Sequence, residues 1–290
     1  MKIIDCVTYY NEPLLYELRL NILSKYIDKF IVIESMYTHS GERKKINFEI
    51  NNYPKYKNKI THMVIDHEPD NLKFPNKDFK RYNSIKRIEY QRDYIKNISN
   101  EIDKKDWIIY SDSDEIPNLT KINFKKSDQK IIFFKQNLFY YKFNLILENQ
   151  PWFGSRACRY KDLISISQLR VMKPKVYNWW RIDTFFKKNK LINTKIIEHG
   201  GWHFSDLKSV KDILKKKQND EHHDEFEISN IDEQKIRDMV QNRYISYDHS
   251  VDKKKLNQKW HNKIMLSVVN NNMLPKYLLD NKKKYLKWFD

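Results

Sequence analysis

Three carboxylates fall within four residues at the end of a short β-forming run, WIIYSDSDEIPN, residues 107–118: Asp112, Asp114 and Glu115. Successive side chains of an extended backbone alternate faces, so Asp112 and Asp114, one residue apart, are expected to project from the same side. Two such carboxylates repel each other unless a cation lies beside them. Oxygen donors of this kind suit Mg²⁺ or Mn²⁺, hard ions that use few protein carboxylates and complete their shell with water and substrate phosphates. The chemistry implied is the handling of a diphosphate. The competing reading is a turn held by an Asx cap, with no ligand. Glu115 is expected on the opposite face or at the start of the next turn, with Pro117 ending the extended run.

Position favours the metal. Residues 2–9, KIIDCVTY, read as a first strand interrupted by one acid, and NEPLLYELRLNILSKYI as a helix with Asn11 as its cap and Pro13 in its first turn. KFIVIES (29–35) is a second strand ending near Glu34, and 60–66 a third. Residues 79–98 have helical periodicity, and WIIYSD is the fourth strand. Strands alternating with helices at this spacing imply βαβ units and a mostly parallel sheet. Ligands of such sheets bind beyond the carboxyl ends of the strands, where Asn11, Glu12, Glu34 and the acidic cluster would stand.

Composition sets outer bounds. The chain has 290 residues, 40% of them hydrophobic and 14% aromatic, which is enough for a sizeable core and excludes a disordered chain. No run approaches the ~20 apolar residues of a membrane-spanning helix, and the amino terminus lacks the apolar block of a signal peptide. Two isolated cysteines, Cys6 and Cys158, form neither a disulfide framework nor a metal-ligand spacing. These features lead to the expectation of a cytoplasmic protein. The net charge of +17 raises nucleic acid as a partner. The lysines are spread through almost every segment, however, and no nucleic-acid motif accompanies them, so that partner is disfavoured. Anionic sugar nucleotides and peripheral contact with acidic membrane surfaces stay open.

Five segments, TYYNEPLLYELRLNIL, IDKFIVIESMYTHSGERK, YQRDYI, IIYSDSDEIP and HGGWHFSDL, occur in an order that resembles glycosyltransferase family 17, with LPKYLLDNKKKYLKW similar to that family's tail. Its best-known members are β-1,4-mannosyl-glycoprotein 4-β-N-acetylglucosaminyltransferases. The resemblance implies an α/β fold of GT-A type, Rossmann-like with a mostly parallel central sheet flanked by helices, and a helical C-terminal extension. It implies a catalytic domain over 1–206, divided into a nucleotide-sugar half (1–118) and an acceptor half (119–206), with the extension over 207–290. It further implies an inverting transfer from a UDP-sugar, N-acetylglucosamine by family default, to a glycan, glycolipid or glycoprotein acceptor, with Mn²⁺ or Mg²⁺ as cofactor. Carried onto this sequence, Asp112 and Asp114 match the Asp-x-Asp metal motif, and Thr8, Asn11, Glu12 and Glu34 match the first two strand ends, where the nucleoside is contacted. Arg87, Gln91 and Arg92 lie on the helix before the metal strand. His203 in GGWHFS is the third metal ligand, beside glycines that permit close backbone approach.

In NQPWFGSRACRYKDL (149–163), Gly154, Ser155 and Arg156 are expected to form the loop that faces the donor sugar, and Trp152 is either an acceptor platform or core; YNWWRIDTFF (177–186) has the same ambiguity. An inverting transfer needs one general base. Asp162 is the first choice because it follows that loop, with Asp183 and Glu198 as alternatives. His222 and His223 are neighbours whose side chains diverge, so NDEHHDEFE is read as a charged loop or helix start near the acceptor. Mammalian relatives carry a signal-anchor and stem ahead of the first strand, whereas this sequence starts at it. The rival readings are a metal-dependent nucleotidyl- or phosphotransferase and a basic nucleic-acid-binding protein.

Overall fold

The computed structural model describes residues 1–174, 193–249, 259–260 and 262–290; YNWWRIDTFF, and with it Asp183, lies outside the described residues. The first half is built as its pattern requires. Strand β1 (Ile3–Tyr9) leads into helix α1 (Pro13–Leu23), followed by β2 (Lys29–Ser35), β3 (Ile60–Ile65), helix α2 (Lys80–Asp93) and β4 (Trp107–Asp112). All pair in parallel in the order β3-β2-β1-β4. Pro13 opens α1, as its fixed φ allows. Asn11 does not cap the helix: Glu12 holds the cap position, and its carboxylate turns back to accept the backbone N–H groups of Tyr10 and Asn11.

Beyond β4 the chain forms β5 (Glu115–Pro117), β6 (Ile131–Tyr140), β7 (Leu145–Ile146), β8 (Trp152–Arg159), helix α3 (Ile166–Val171), β9 (Thr194–Ile197) and β10 (Gly201–Ser205). Strand β8 sits antiparallel between β4 and β6, while β9 and β10 both run parallel to β6. The last part carries helices α4 (Val210–Asn219), α5 (His223–Ser229) and α6 (Glu233–Gln241), a small sheet of β11 (Tyr244–Ile245) and β12 (Ile264–Met265), β13 (Ser267–Val268) and helix α7 (Lys276–Asp280). It is therefore not purely helical, and β13 joins the main sheet through β7. The result is a mixed α/β fold of GT-A-like form, with a large central sheet flanked by helices.

Alternation along the strands separates two cores. Val7, Val32, Trp107 and Ile109 face α1 and the C-terminal Leu278 and Tyr285, while Cys6, Ile31, Ile33, Ile108 and Tyr110 face Ile95, Ile166 and Leu169. A third cluster joins Leu138, Tyr140 and Leu145 to Ile213, Phe226, Ile236 and Met239 of α4–α6. Cys6 and Cys158 are free and buried, and burial pushes the Cys158 thiol up to about 12, so neither is a ready nucleophile.

The acid inside β1 has a specific partner. Asp5 and Arg19 are both wholly buried. The Arg19 guanidinium donates Nε and Nη2 to the two Asp5 oxygens, Nη2 also to Ser111 Oγ at 3.0 Å, and Nη1 to the Glu115 carbonyl. Ser111 Oγ lies 2.7 Å from Ser155 Oγ, and Gln136 Nε2 donates to that serine at 3.0 Å. One guanidinium thereby joins β1 and α1 to both sides of the turn that follows β4. Arg19→Met leaves the Asp5 carboxylate buried and unpaired and is expected to cost about 3–5 kcal/mol in urea denaturation, with most of it recovered when Asp5→Leu is added. An equal loss in the single and double variants would assign the stabilisation to the bonds with Ser111 and Glu115 instead.

Candidate active site

The end of β4 turns sharply. Ser113 and Asp114 form the turn, Glu115 re-enters a strand, and the Asp112 backbone N–H closes the turn by donating to Glu115 Oε2 at 3.1 Å. Asp112 and Asp114 therefore do not share a face of one extended strand, as their spacing had suggested, and each carboxylate has its own cations. Asp112 Oδ1 accepts from Tyr110 Oη at 2.8 Å and lies 3.5 Å from Arg92 Nη2; its Oδ2 accepts from Arg170 at 2.6 Å. Because the Tyr110 hydroxyl donates to Asp112, Thr8 Oγ1, at 3.2 Å, and Arg92 Nε, at 3.0 Å, donate to Tyr110. Asp114 Oδ2 accepts from Lys216 at 3.0 Å, and its Oδ1 lies 3.3 Å from His203 Nε2. Burial opposes ionisation of both carboxyls. Arg170 and Arg92 outweigh it at Asp112, Lys216 and His203 at Asp114, and both carboxyls are held well below the usual range.

Glu115 is a buried pivot. Its Oε1 accepts from Trp152 Nε1 at 2.7 Å and from Arg170 at 2.8 Å, which aims Arg170 at Asp112. Gly154 makes room for it, since a Cβ there would meet the Glu115 carboxyl at 2.3 Å. His203 is positioned by strand pairing, standing opposite Glu115 on β5, and the next N–H, of Phe204, donates to the Asp114 carbonyl at 2.8 Å. Gly201, at φ +141°, lets β10 approach β5, where a Cβ would lie 2.2 Å from the Ile116 carbonyl oxygen.

Among the described residues no three His, Cys, Asp or Glu side chains converge as a ready cation cage. The donor chemistry nonetheless fits Mn²⁺ or Mg²⁺. Asp112 and Asp114 are ionised hard oxygen donors, and His203 stands beside Asp114 with a buried Nδ1 that has no partner. The Asp114 carboxylate favours a proton on Nε2, and because Nδ1 has no partner the proton could move there and leave the Nε2 lone pair for an ion.

Two chambers meet at this turn. One, at the ends of β1 and β2, is lined by Thr8, Tyr10, Glu12, Tyr37, His39 and Gln91. The other, about 510 Å³, is walled by Tyr140, Trp152, Arg156, Arg170, Tyr247 and Trp260. Arg92, Asp112, Asp114 and Lys216 line both, as do Asp220, Glu221 and His222 after α4. The geometry suits a two-part ligand whose parts join at the aspartates. The family model of glycosyltransferase family 17 matches residues 1–289. This chain belongs to glycosyltransferase family 17. It is a glycosyltransferase, and the family implies a nucleotide-sugar donor and a glycan acceptor. No curated protein matches it in sequence. Solved structures with a similar chain path include HddC from Yersinia pseudotuberculosis (12% identity, 70% of this chain and 89% of that one, TM-score 0.32). Another is a glycosyltransferase involved in glycosylation of the major capsid of PBCV-1 (10%, 77% and 92%, 0.29). A third is the inositol-1-phosphate CTP transferase from T. maritima (11%, 75% and 96%, 0.32). These likenesses are loose, and the assignment rests on the family match. No helix among the described residues is long and apolar enough to cross a membrane.

Of the residues singled out in the sequence, Thr8, Glu12, Gln91, Arg92, Asp112 and Asp114 line the first chamber, and Arg156 and His203 the second. Gln91 is committed to the backbone, donating to the Ile33 carbonyl at 2.9 Å, and its Oε1 lies 3.3 Å from His39 Nε2. Asn11, Glu34, Arg87, Asp162 and Glu198 lie elsewhere. Asn11 is exposed and offers its carbonyl to Lys208. Glu34 is saturated by Lys44 and by the N–H groups of Asn47 and Phe48, so it shapes the 44–48 loop. Arg87 pairs with Glu68 at 2.6 Å and donates to the His39 carbonyl, supporting the loop around Gly41. Asp162 is at the wrong end of the sheet: β8 runs antiparallel to β4, so Arg159 stands level with Trp107 while Arg156 stands level with Tyr110. Glu198 is paired with Lys135 at 2.9 Å outside both chambers. His222 lines both chambers; His223 is buried, its Nδ1 3.0 Å from the Asp220 carbonyl.

Sequence reasoning missed Arg170, Lys216 and Asp206. Their signals were faint: one basic residue at the end of a short helix, one lysine of a triplet, and the acid that closes GGWHFSD. Asp112, Asp114, Asp206 and Glu12 are all depressed by neighbouring cations that overcome burial. Their stabilisation is present above the unfolded carboxylate range near pH ~4 and lost as pH falls through the folded values. The thermal midpoint is expected to fall as pH drops below about 4, and less steeply in Asp114→Asn. A midpoint unchanged down to pH ~2 would contradict this assignment.

Proposed function

We propose that this glycosyltransferase moves a sugar from a UDP-sugar, with N-acetylglucosamine as the family pattern suggests, to a glycan acceptor in a metal-dependent, inverting reaction. The observation that carries the reading is the shared wall: Asp112 and Asp114 line both chambers. The nucleoside occupies the chamber of Thr8, Tyr10 and Tyr37, the acceptor the chamber of Trp152 and Tyr247, and the diphosphate the wall between. Asp112, Asp114 and His203 would hold the divalent ion. When bound, it neutralises the diphosphate and makes it a better leaving group. Arg92 and Lys216 add positive charge at the same wall.

The general base is assigned to Asp206. It is buried in the lining of the acceptor chamber, and its Oδ1 lies 3.5 Å from Lys216 Nζ, outside hydrogen-bond geometry and without another partner among the described residues. Lys216 also reaches Asp114, so Asp206 stands one lysine away from the diphosphate wall. Asp206 takes the proton of the acceptor hydroxyl as that oxygen forms its bond to the anomeric carbon. The carbon–oxygen bond to the diphosphate breaks in the same displacement, and its electron pair leaves with UDP. A single displacement from the opposite face inverts the configuration.

Two results test the reading. Incubation with UDP-N-acetylglucosamine, Mn²⁺ and an acceptor panel is expected to release UDP and give a β-linked product by NMR; an α-linked product would rule out inversion. Asp206→Asn is expected to lower kcat by about 10²- to 10⁴-fold with donor KM little changed. A kcat within about threefold of wild type would remove Asp206 from the base role.

A further inference from the structure

Five Arg and Lys side chains line the acceptor chamber among the described residues: Arg92, Arg156, Arg170, Lys216 and Lys217. Four have carboxylate partners. Arg92 lies 3.5 Å from Asp112, Arg170 is paired with Asp112 and Glu115, Lys216 with Asp114 and Asp206, and Lys217 with Asp206 at 2.9 Å. Arg156 has none. It is 6% exposed, its Nε has no hydrogen-bond partner, and its Nη1 reaches only the Gly154 carbonyl at 3.4 Å. Its guanidinium lies 5.7 Å from the Phe133 ring centroid, a contact with the ring face that itself occupies no in-plane donor. Burial, and then Arg170 beside it, pushes its pKa down to about 9.

A buried cation without a counter-ion is costly, and a fold that retains one gains when an anion arrives. The nearby acids cannot supply that anion, because Asp112 and Glu115 are engaged by Arg170. Arg156 lines only the second chamber, whereas the diphosphate wall is shared by both. A guanidinium fork matches carboxylate and phosphate geometry, and the rings of Trp152, Tyr247 and Trp260 in the same chamber offer faces to a sugar ring. We infer that Arg156 is the specificity determinant for an acidic acceptor, a saccharide that carries a carboxylate or phosphate group. The term acceptor rests on the glycosyltransferase reading; the anion site does not.

The test is the thermal midpoint of the protein with UDP and Mn²⁺ present, titrated with glucuronate, glucose 6-phosphate or glucose. At least one acidic sugar is expected to give a saturable rise that glucose does not, and the pair distinguishes carboxylate from phosphate. Arg156→Gln is expected to weaken that response about tenfold or more, the loss of a charge-assisted hydrogen bond, while keeping the response to UDP. If Arg156→Gln does not fold, Arg156→Lys, which keeps the charge and loses the fork, is expected to weaken the response severalfold. Equal responses to glucose and the acidic sugars, a response that survives Arg156→Gln, or loss of the UDP response in that variant would each overturn the inference. A wild type that responds to acidic sugars and not to UDP would defeat the donor reading and leave the anion site standing. The reverse would defeat the anion site and leave the donor reading standing.

Discussion

The Asp5–Arg19 pair is the constraint on which the site depends. A fully buried ion pair is poor value as a stabiliser, since desolvation offsets much of its attraction. What this one supplies is position. Its guanidinium has donors left over after Asp5, and they hold Ser111 and the Glu115 carbonyl on either side of the Ser113–Asp114 turn. The turn cannot slide relative to β1 without breaking a bond to a buried charge. Asp112 and Asp114 inherit that rigidity, and Glu115 passes it on to Trp152 and Arg170.

The second organising feature is charge matching. Asp112 and Asp114 at the wall between the chambers, Glu12 in the first and Asp206 in the second are each met by cations from elements far apart in the chain: Arg92 on α2, Arg170 at the end of α3, Lys208 beside Glu12, and Lys216 and Lys217 on α4. The C-terminal segment is thus part of the site, because α4 brings the lysines that keep Asp114 and Asp206 ionised. Long-range pairing outweighs burial and holds these acids ionised at neutral pH.

Much of this was legible in the sequence where the signal is local. Strands β1 to β4 fall within a residue or two of the apolar runs that announce them, because each run is short, β-branched and bounded by polar residues. Their carboxyl ends pointed to Glu12, Thr8, Asp112 and Asp114, and α2 presents Gln91 and Arg92 at the cleft. Other features were hidden for identifiable reasons. Periodicity does not give a strand's direction, so Asp162 appeared to follow a site-facing loop when the antiparallel β8 carries it to the far end of the sheet. Glu34 sits at a strand end as expected, yet the 44–48 loop folds back and consumes both its oxygens. No local rule says which lysine among so many reaches Asp114, or that a lone arginine in a six-residue helix reaches Asp112. The two glycines before His203, expected to admit a ligand, instead admit the backbone of the strands beside β10.

The most direct measurement is calorimetric titration of UDP into the purified protein with and without Mn²⁺, on the wild type and on Asp114→Ala. Expected is saturable one-to-one binding that requires the metal and disappears with the Asp114 carboxylate. Binding of equal strength without metal and in Asp114→Ala would contradict the assignment of this turn as the diphosphate wall, and no binding under any condition would contradict the donor chamber itself.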